Sequence, residues 1–255
     1  MRAQEKARDR RRKIVFGGGG GVIAAVLVVV LVIVATHKST PKPPSPTNEK
    51  VPAFITSGST TTEPAAVKAT DDSGISGVTA YVTTKWPTAS NNGPSSEALP
   101  HNHVDGPVVY SVTPPVGGDH NVQWMNCGIY AAPVPSERAV HNLEHGAVWI
   151  TYKPSLPQTE IDALRAFVMK QTSVKVQGTD THARYMDLTP WKDDSLPSDI
   201  VMSAWGHQLQ LSSATDPRMQ QFVDTFRFSS KYSPEYGGSC SGTDPSVGGK
   251  PFEGQ

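Results

Sequence analysis

Gly146-Ala147-Val148-Trp149-Ile150-Thr151-Tyr152 is the stretch on which the reading of the fold turns. It carries no charge and is rich in β-branched and aromatic residues, the composition of a buried strand. Pro154 and Pro157 stop it, and Ile161, Leu164, Phe167 and Val168 then recur at helical spacing between about Gln158 and Lys170. Further out, Ile200 to Trp205 and Gln208 to Leu211 read as two strands joined at Gly206-His207. Asp216 is placed to cap a last helix through Phe226, with Met219, Phe222, Val223 and Phe226 facing inward. A short strand around Val108 to Val112 is expected in the same sheet. Strand, helix, strands and helix in that order predict an α+β domain, a mixed sheet covered by helices.

Upstream the pattern changes. The first thirteen residues hold seven basic side chains (Arg2, Lys6, Arg8, Arg10, Arg11, Arg12, Lys13) against Glu5 and Asp9. Ile14 to Ala35 then carries no charge, and as a helix it spans about 33 Å, enough for a bilayer core. It reads as a retained transmembrane helix rather than a cleaved signal peptide, whose apolar region is shorter and ends in small residues. The basic flank predicts a cytoplasmic N-terminus and an extracytoplasmic remainder, so the partner implied is the cell membrane. Residues 36–72, with Pro41, Pro43, Pro44 and Pro46 followed by Ser/Thr-rich chain, read as a disordered stalk. The folded domain is expected from Ser73 to Cys240 and a disordered tail over 241–255.

The 255 residues balance 23 Lys+Arg against 23 Asp+Glu, which excludes the large basic surface of a nucleic-acid binder. Two cysteines exclude a disulfide-rich scaffold and a four-thiolate zinc site. In an oxidising compartment Cys127 and Cys240 are expected to pair; the competing reading makes Cys127 a soft copper ligand.

Five of the eight histidines fall between 101 and 145: His101, His103, His120, His141 and His145. His141-Asn142-Leu143-Glu144-His145 is the densest part. On a helical turn His141 and His145 share a face and can chelate one ion, whereas on a strand they would stand about 13 Å apart. The spelling matches the H-x-x-E-H pattern of inverted zinc proteases. That pattern needs a helix continuing past the second His, and Gly146 with a strand follows here instead. A hydrogen-bonded network with no metal is the plainer alternative. Pro114-Pro115-Val116-Gly117-Gly118-Asp119-His120 reads first as a rigid turn and second as a loop presenting His120.

That last run resembles, together with Cys127-Gly128-Ile129-Tyr130, Pro133-Val134-Pro135, Val140 to Val148 and Ala204-Trp205-Gly206, the uncharacterised bacterial family called domain of unknown function 3105. The resemblance covers roughly Ser73 to Cys240. It implies a single N-terminal anchoring helix and places His103, His120, His141 and His145 in one recurring pattern. The chain differs at His207, where Arg or Lys is expected.

Three functions fit. The first is an extracytoplasmic domain binding copper or zinc through His103, His120, His141 and His145, with Glu144 orienting the rings and Met125 tilting the choice toward copper. The second is a non-catalytic structural or interaction module for an envelope protein partner. The third is a metal-dependent hydrolase with Glu144 as base. Binding rather than catalysis is the expected role.

Overall fold

The uncharged run forms a strand, Val148–Tyr152, all five residues of which are buried. In the computed structural model, which describes residues 51–83, 99–172 and 185–240, it is one of ten strands among the described residues. The elements are β1 (Thr61–Thr62), β2 (Ala66–Ala69), β3 (Val78–Thr83), β4 (His103–Val104), β5 (Val108–Val109), β6 (His120–Asn121), α1 (Ser136–Glu144), β7 (Val148–Tyr152), α2 (Gln158–Thr172), β8 (Met186–Pro190), β9 (Ile200–Ala204), β10 (His207–Leu211) and α3 (Arg218–Phe226). Six strands make one sheet in the order β2-β3-β10-β9-β7-β8. Only β7 and β8 run parallel; the other neighbours are antiparallel, so the sheet is mixed and the class is α+β.

Period-two alternation along β7 assigns its two faces. Val148, Ile150 and Tyr152 join a core with Ile161, Leu164 and Val168 of α2 and Met219, Phe222, Val223 and Phe226 of α3. Trp149 belongs to a second core with Val140 and Leu143 of α1, Trp205, Met125 and Tyr130. Two helices therefore cover one face, and α1 with the long 112–134 segment covers the other. That second layer carries His120 and His141, with His145 at the end of α1.

Two expectations need correction. The strand expected over Val108 to Val112 ends at Val109 and pairs in parallel with β1 (Thr61↔Val108), outside the main sheet. Beyond it, side-chain bonds replace the ladder: Ser111 Oγ accepts from Ala66 N at 2.9 Å, and Tyr110 OH donates to Asp119 O at 2.9 Å. The ordered chain also begins upstream of Ser73, because β2 hydrogen-bonds to β3 (Val67↔Val82) and β1 to β5. The cap expected on α3 is present: Pro217 is already helical, and Asp216 before it serves the first turn. Asp216 Oδ1 accepts from Arg218 N at 2.9 Å, and its carboxylate also holds the Arg218 guanidinium.

Cys127 and Cys240 form a disulfide across 113 residues, with Cα atoms 5.3 Å apart, and Cys127 N donates to Cys240 O at 2.8 Å. Closing a loop of that length contributes about 4–5 kcal/mol in the chain-entropy account. The pairing removes Cys127 as a metal ligand. The expected transmembrane span 14–35, the 36–50 part of the stalk and the tail after Cys240 lie outside the described residues; among the described ones no helix is long and apolar enough to cross a membrane.

Candidate metal centre

Three pieces of local structure bring the histidines together. β4 and β6 pair in parallel with His103 directly opposite His120, so the rings stand side by side, centroids 5.1 Å apart. α1 carries His141 and Glu144 and ends at His145. Gly146 then takes φ +102°, a left-handed conformation that closes the helix, and a Cβ there would press on Phe228 backbone at 3.1 Å. His141 reaches three neighbours: its ring is 5.0 Å from that of His103, 4.8 Å from His120 and 4.4 Å from His145. The Trp124 ring flanks His141 and His145, 5.5 Å from each.

Each buried imidazole is held by a backbone carbonyl. His120 Nδ1 lies 2.9 Å from Gly118 O, His141 Nδ1 2.7 Å from Asn121 O, and His145 Nδ1 2.7 Å from Ser239 O. A carbonyl only accepts, so in the neutral rings Nδ1 carries the proton and Nε2 presents a lone pair. Those lone pairs converge. His141 Nε2 and His145 Nε2 are 3.0 Å apart, and in these neutral tautomers neither brings a proton to the contact. His120 Nε2 is 2.8 Å from Glu144 Oε2, an ion pair when the ring is protonated, and neither atom has another polar partner at hydrogen-bond distance among the described residues.

Burial keeps this cluster uncharged where it is deepest. Desolvation pushes the His141 pKa down to about 3, helped by His145, His120 and His103 and opposed by the Asn121 carbonyl. Desolvation likewise lowers His145, against the Ser239 carbonyl, Glu144 and Glu235. A neutral imidazole with its other nitrogen tied to a carbonyl is the form that ligates a metal. Donor atoms of His103, His120, His141 and Glu144 lie within 4.8 Å of one another, as do those of His141, Glu144, His145 and Glu235. Two Zn–N bonds of about 2.0–2.1 Å at 90–110° separate their nitrogens by about 2.9–3.4 Å, which matches the His141–His145 pair.

A family described as proteins of unknown function, DUF3105, matches residues 101–242, more than half of the 255-residue chain. The chain belongs to that family. The DUF3105 match spans β4 to α3, both cysteines and every histidine of the cluster, whereas β1 to β3 precede it. No curated protein and no solved structure matches the chain.

Of the residues singled out in sequence, His103, His120, His141 and His145 meet in space. His103 is exposed and the other three are buried. Glu144 stands against the His120 ring, and the carbonyls of Gly118, Asn121 and Ser239 hold His120, His141 and His145 through their Nδ1 atoms. Met125 packs fully buried in the apolar core with Tyr130, Leu143 and Trp149. His207 lies elsewhere, its ring 4.6 Å from Phe226 and 4.9 Å from Tyr232.

Sequence reasoning missed three contributors. Glu235, 55% exposed, brings Oε2 to 3.5 Å from His145 Nε2 from a turn pinned by Glu235 N donating to Glu144 O. Gly238 leaves room for the His145 ring, which a Cβ would meet at 2.3 Å. Glu63 accepts from Asp119 N at 2.6 Å and so braces the loop whose Gly118 carbonyl orients His120. Burial raises the Glu63 pKa to about 7 against the Asp119 hydrogen bond. Glu63 falls in a stretch read as stalk, and only its pairing with β5 across the fold reveals it.

Proposed function

We propose that this protein is a membrane-anchored, extracytoplasmic metal-binding protein that takes copper or zinc through His103, His120, His141 and His145, with Glu144 as an additional oxygen donor. The observation that carries the reading is the approach of His141 Nε2 and His145 Nε2 to 3.0 Å while both Nδ1 atoms are engaged by carbonyls. Two facing lone pairs repel in the metal-free state and become a chelating pair around a cation. A structural histidine network satisfies its members with protons; this one leaves donors pointing at one another. Imidazole and carboxylate donors without thiolate suit Zn²⁺ or Cu²⁺. The anchor rests on the uncharged Ile14 to Ala35 run behind seven basic residues.

The test is metal analysis of the full-length chain purified without chelators and then exchanged into zinc or copper buffer. The reading expects bound metal that survives desalting in the wild type and is lost in His141→Gln. Equal metal in both, or none in either, would refute it.

A further inference from the structure

We propose that the centre holds two metal ions bridged by the Glu144 carboxylate. This rests on the reading of the cluster as a metal centre and goes beyond it in nuclearity and in the assignment of donors.

Six donor groups surround the site, two more than the four that zinc ordinarily uses. They fall into two overlapping sets, one containing His103 and His120, the other His145 and Glu235, with His141 and Glu144 common to both. His141 cannot serve two ions, because its Nδ1 is committed to Asn121 O and only Nε2 is free. Its 3.0 Å approach to His145 Nε2 assigns it to the His145 and Glu235 position. Glu144 has two oxygens, Oε2 beside His120 and Oε1 3.5 Å from His101 Nδ1, and is the one shared residue with two donor atoms to offer. Its Oε2 forms a separate 2.8 Å edge with His120 Nε2, sharing no atom with the His141–His145 edge. Each edge has the length that one ion's adjacent ligands require, and bridged pairs of ions stand about 3.5–4 Å apart. The first position is then His103, His120 and Glu144, and the second His141, His145, Glu235 and Glu144. Each has one exposed ligand, His103 or Glu235, as its own route to solvent.

The experiment titrates the chelator-stripped full-length chain with Zn²⁺ by calorimetry and counts retained zinc. The exposed-site variants His103→Ala and Glu235→Gln carry little risk of unfolding. Asp71→Asn serves as a control for the separate group of Asp71, Asp72 and His207, in which His207 Nε2 lies 3.9 Å from Asp71 Oδ1. Expected are two equivalents in the wild type and in Asp71→Asn, with each ligand variant weakening a different one of the two events at least tenfold. Cu²⁺-loaded wild type should show the electron paramagnetic resonance signature of a coupled pair. A single equivalent in the wild type overturns the two-ion centre and leaves the metal-binding reading standing. So does a second equivalent lost in Asp71→Asn, or both ligand variants acting on the same event. Absence of any binding removes both readings.

Discussion

His141 Nε2 faces His145 Nε2 at 3.0 Å, one helical turn apart on α1, with each Nδ1 held by a carbonyl from a different loop. The helix supplies the spacing, since residues four apart stand on one face. The Asn121 and Ser239 carbonyls supply the tautomer. On the proposed reading a cation bridges the two nitrogens, and the consequences of supplying one can be measured.

Zinc bound only to the folded state should stabilise it by about 3 kcal/mol at a hundredfold excess over Kd. For a domain of this size that is an increase in Tm of about 6–12 °C. Differential scanning calorimetry of the stripped protein with and without zinc should show the increment in the wild type and not in His145→Gln, which keeps the volume near that of the ring while removing the facing nitrogen.

The acid response has a defined sign. His141 and His145 have folded pKa values below the ordinary histidine value, so the unfolded chain binds more protons below about pH 6.5. Stability is therefore fully present above that pH and falls as pH drops toward about 3, the His141 value. Glu63 acts oppositely: its folded pKa is raised to about 7, so its contribution is lost as pH rises from about 4.5 through 7. Glu63→Gln should accordingly stabilise the protein at pH 8 and leave it nearly unchanged at pH 4, read from denaturant midpoints. An equal effect at both pH values would contradict the buried-carboxyl account.

Ser239, whose carbonyl holds His145, adjoins Cys240, and a Cβ on Gly238 would collide with the same ring. Reducing the disulfide or making Gly238→Ala should therefore loosen the metal about 10- to 100-fold, the usual effect of disturbing a group that orients a ligand. Competition against a fluorescent chelator gives the value. Unchanged affinity in both cases would show that Ser239 does not orient the ring.

The charge asymmetry around Ile14 to Ala35 predicts that a C-terminal alkaline phosphatase fusion after Gln255 is active and a fluorescent protein that matures only in the cytoplasm is dark. The reverse pattern would invert the topology.

Much of the fold was legible because its core strands obey simple patterns. The Gly146 to Tyr152 run and the Ile161, Leu164, Val168 spacing led directly to β7 and α2, and Gly146 marked the end of α1. β1 and β2 were not legible, because Thr61-Thr62 and Ala66 to Ala69 lack apolar alternation and become strands only through partners distant in sequence, Val108 and Val82. The same limit applies to the site. Histidine clustering was visible, but Glu235 reaches it from 90 residues beyond His145 and Gly238 by steric absence, neither of which leaves a local signature. Glu144 was read as an orienter and stands against His120; the Asn121 and Ser239 carbonyls that hold His141 and His145 come from segments distant in sequence and leave no local signature.

X-ray absorption at the zinc edge of the loaded full-length protein tests the central claim most directly. The account predicts nitrogen and oxygen ligands at about 2.0–2.1 Å with the outer-shell scattering of at least two imidazoles and no sulfur. Scattering from oxygen alone, or a sulfur ligand at about 2.3 Å, would contradict it.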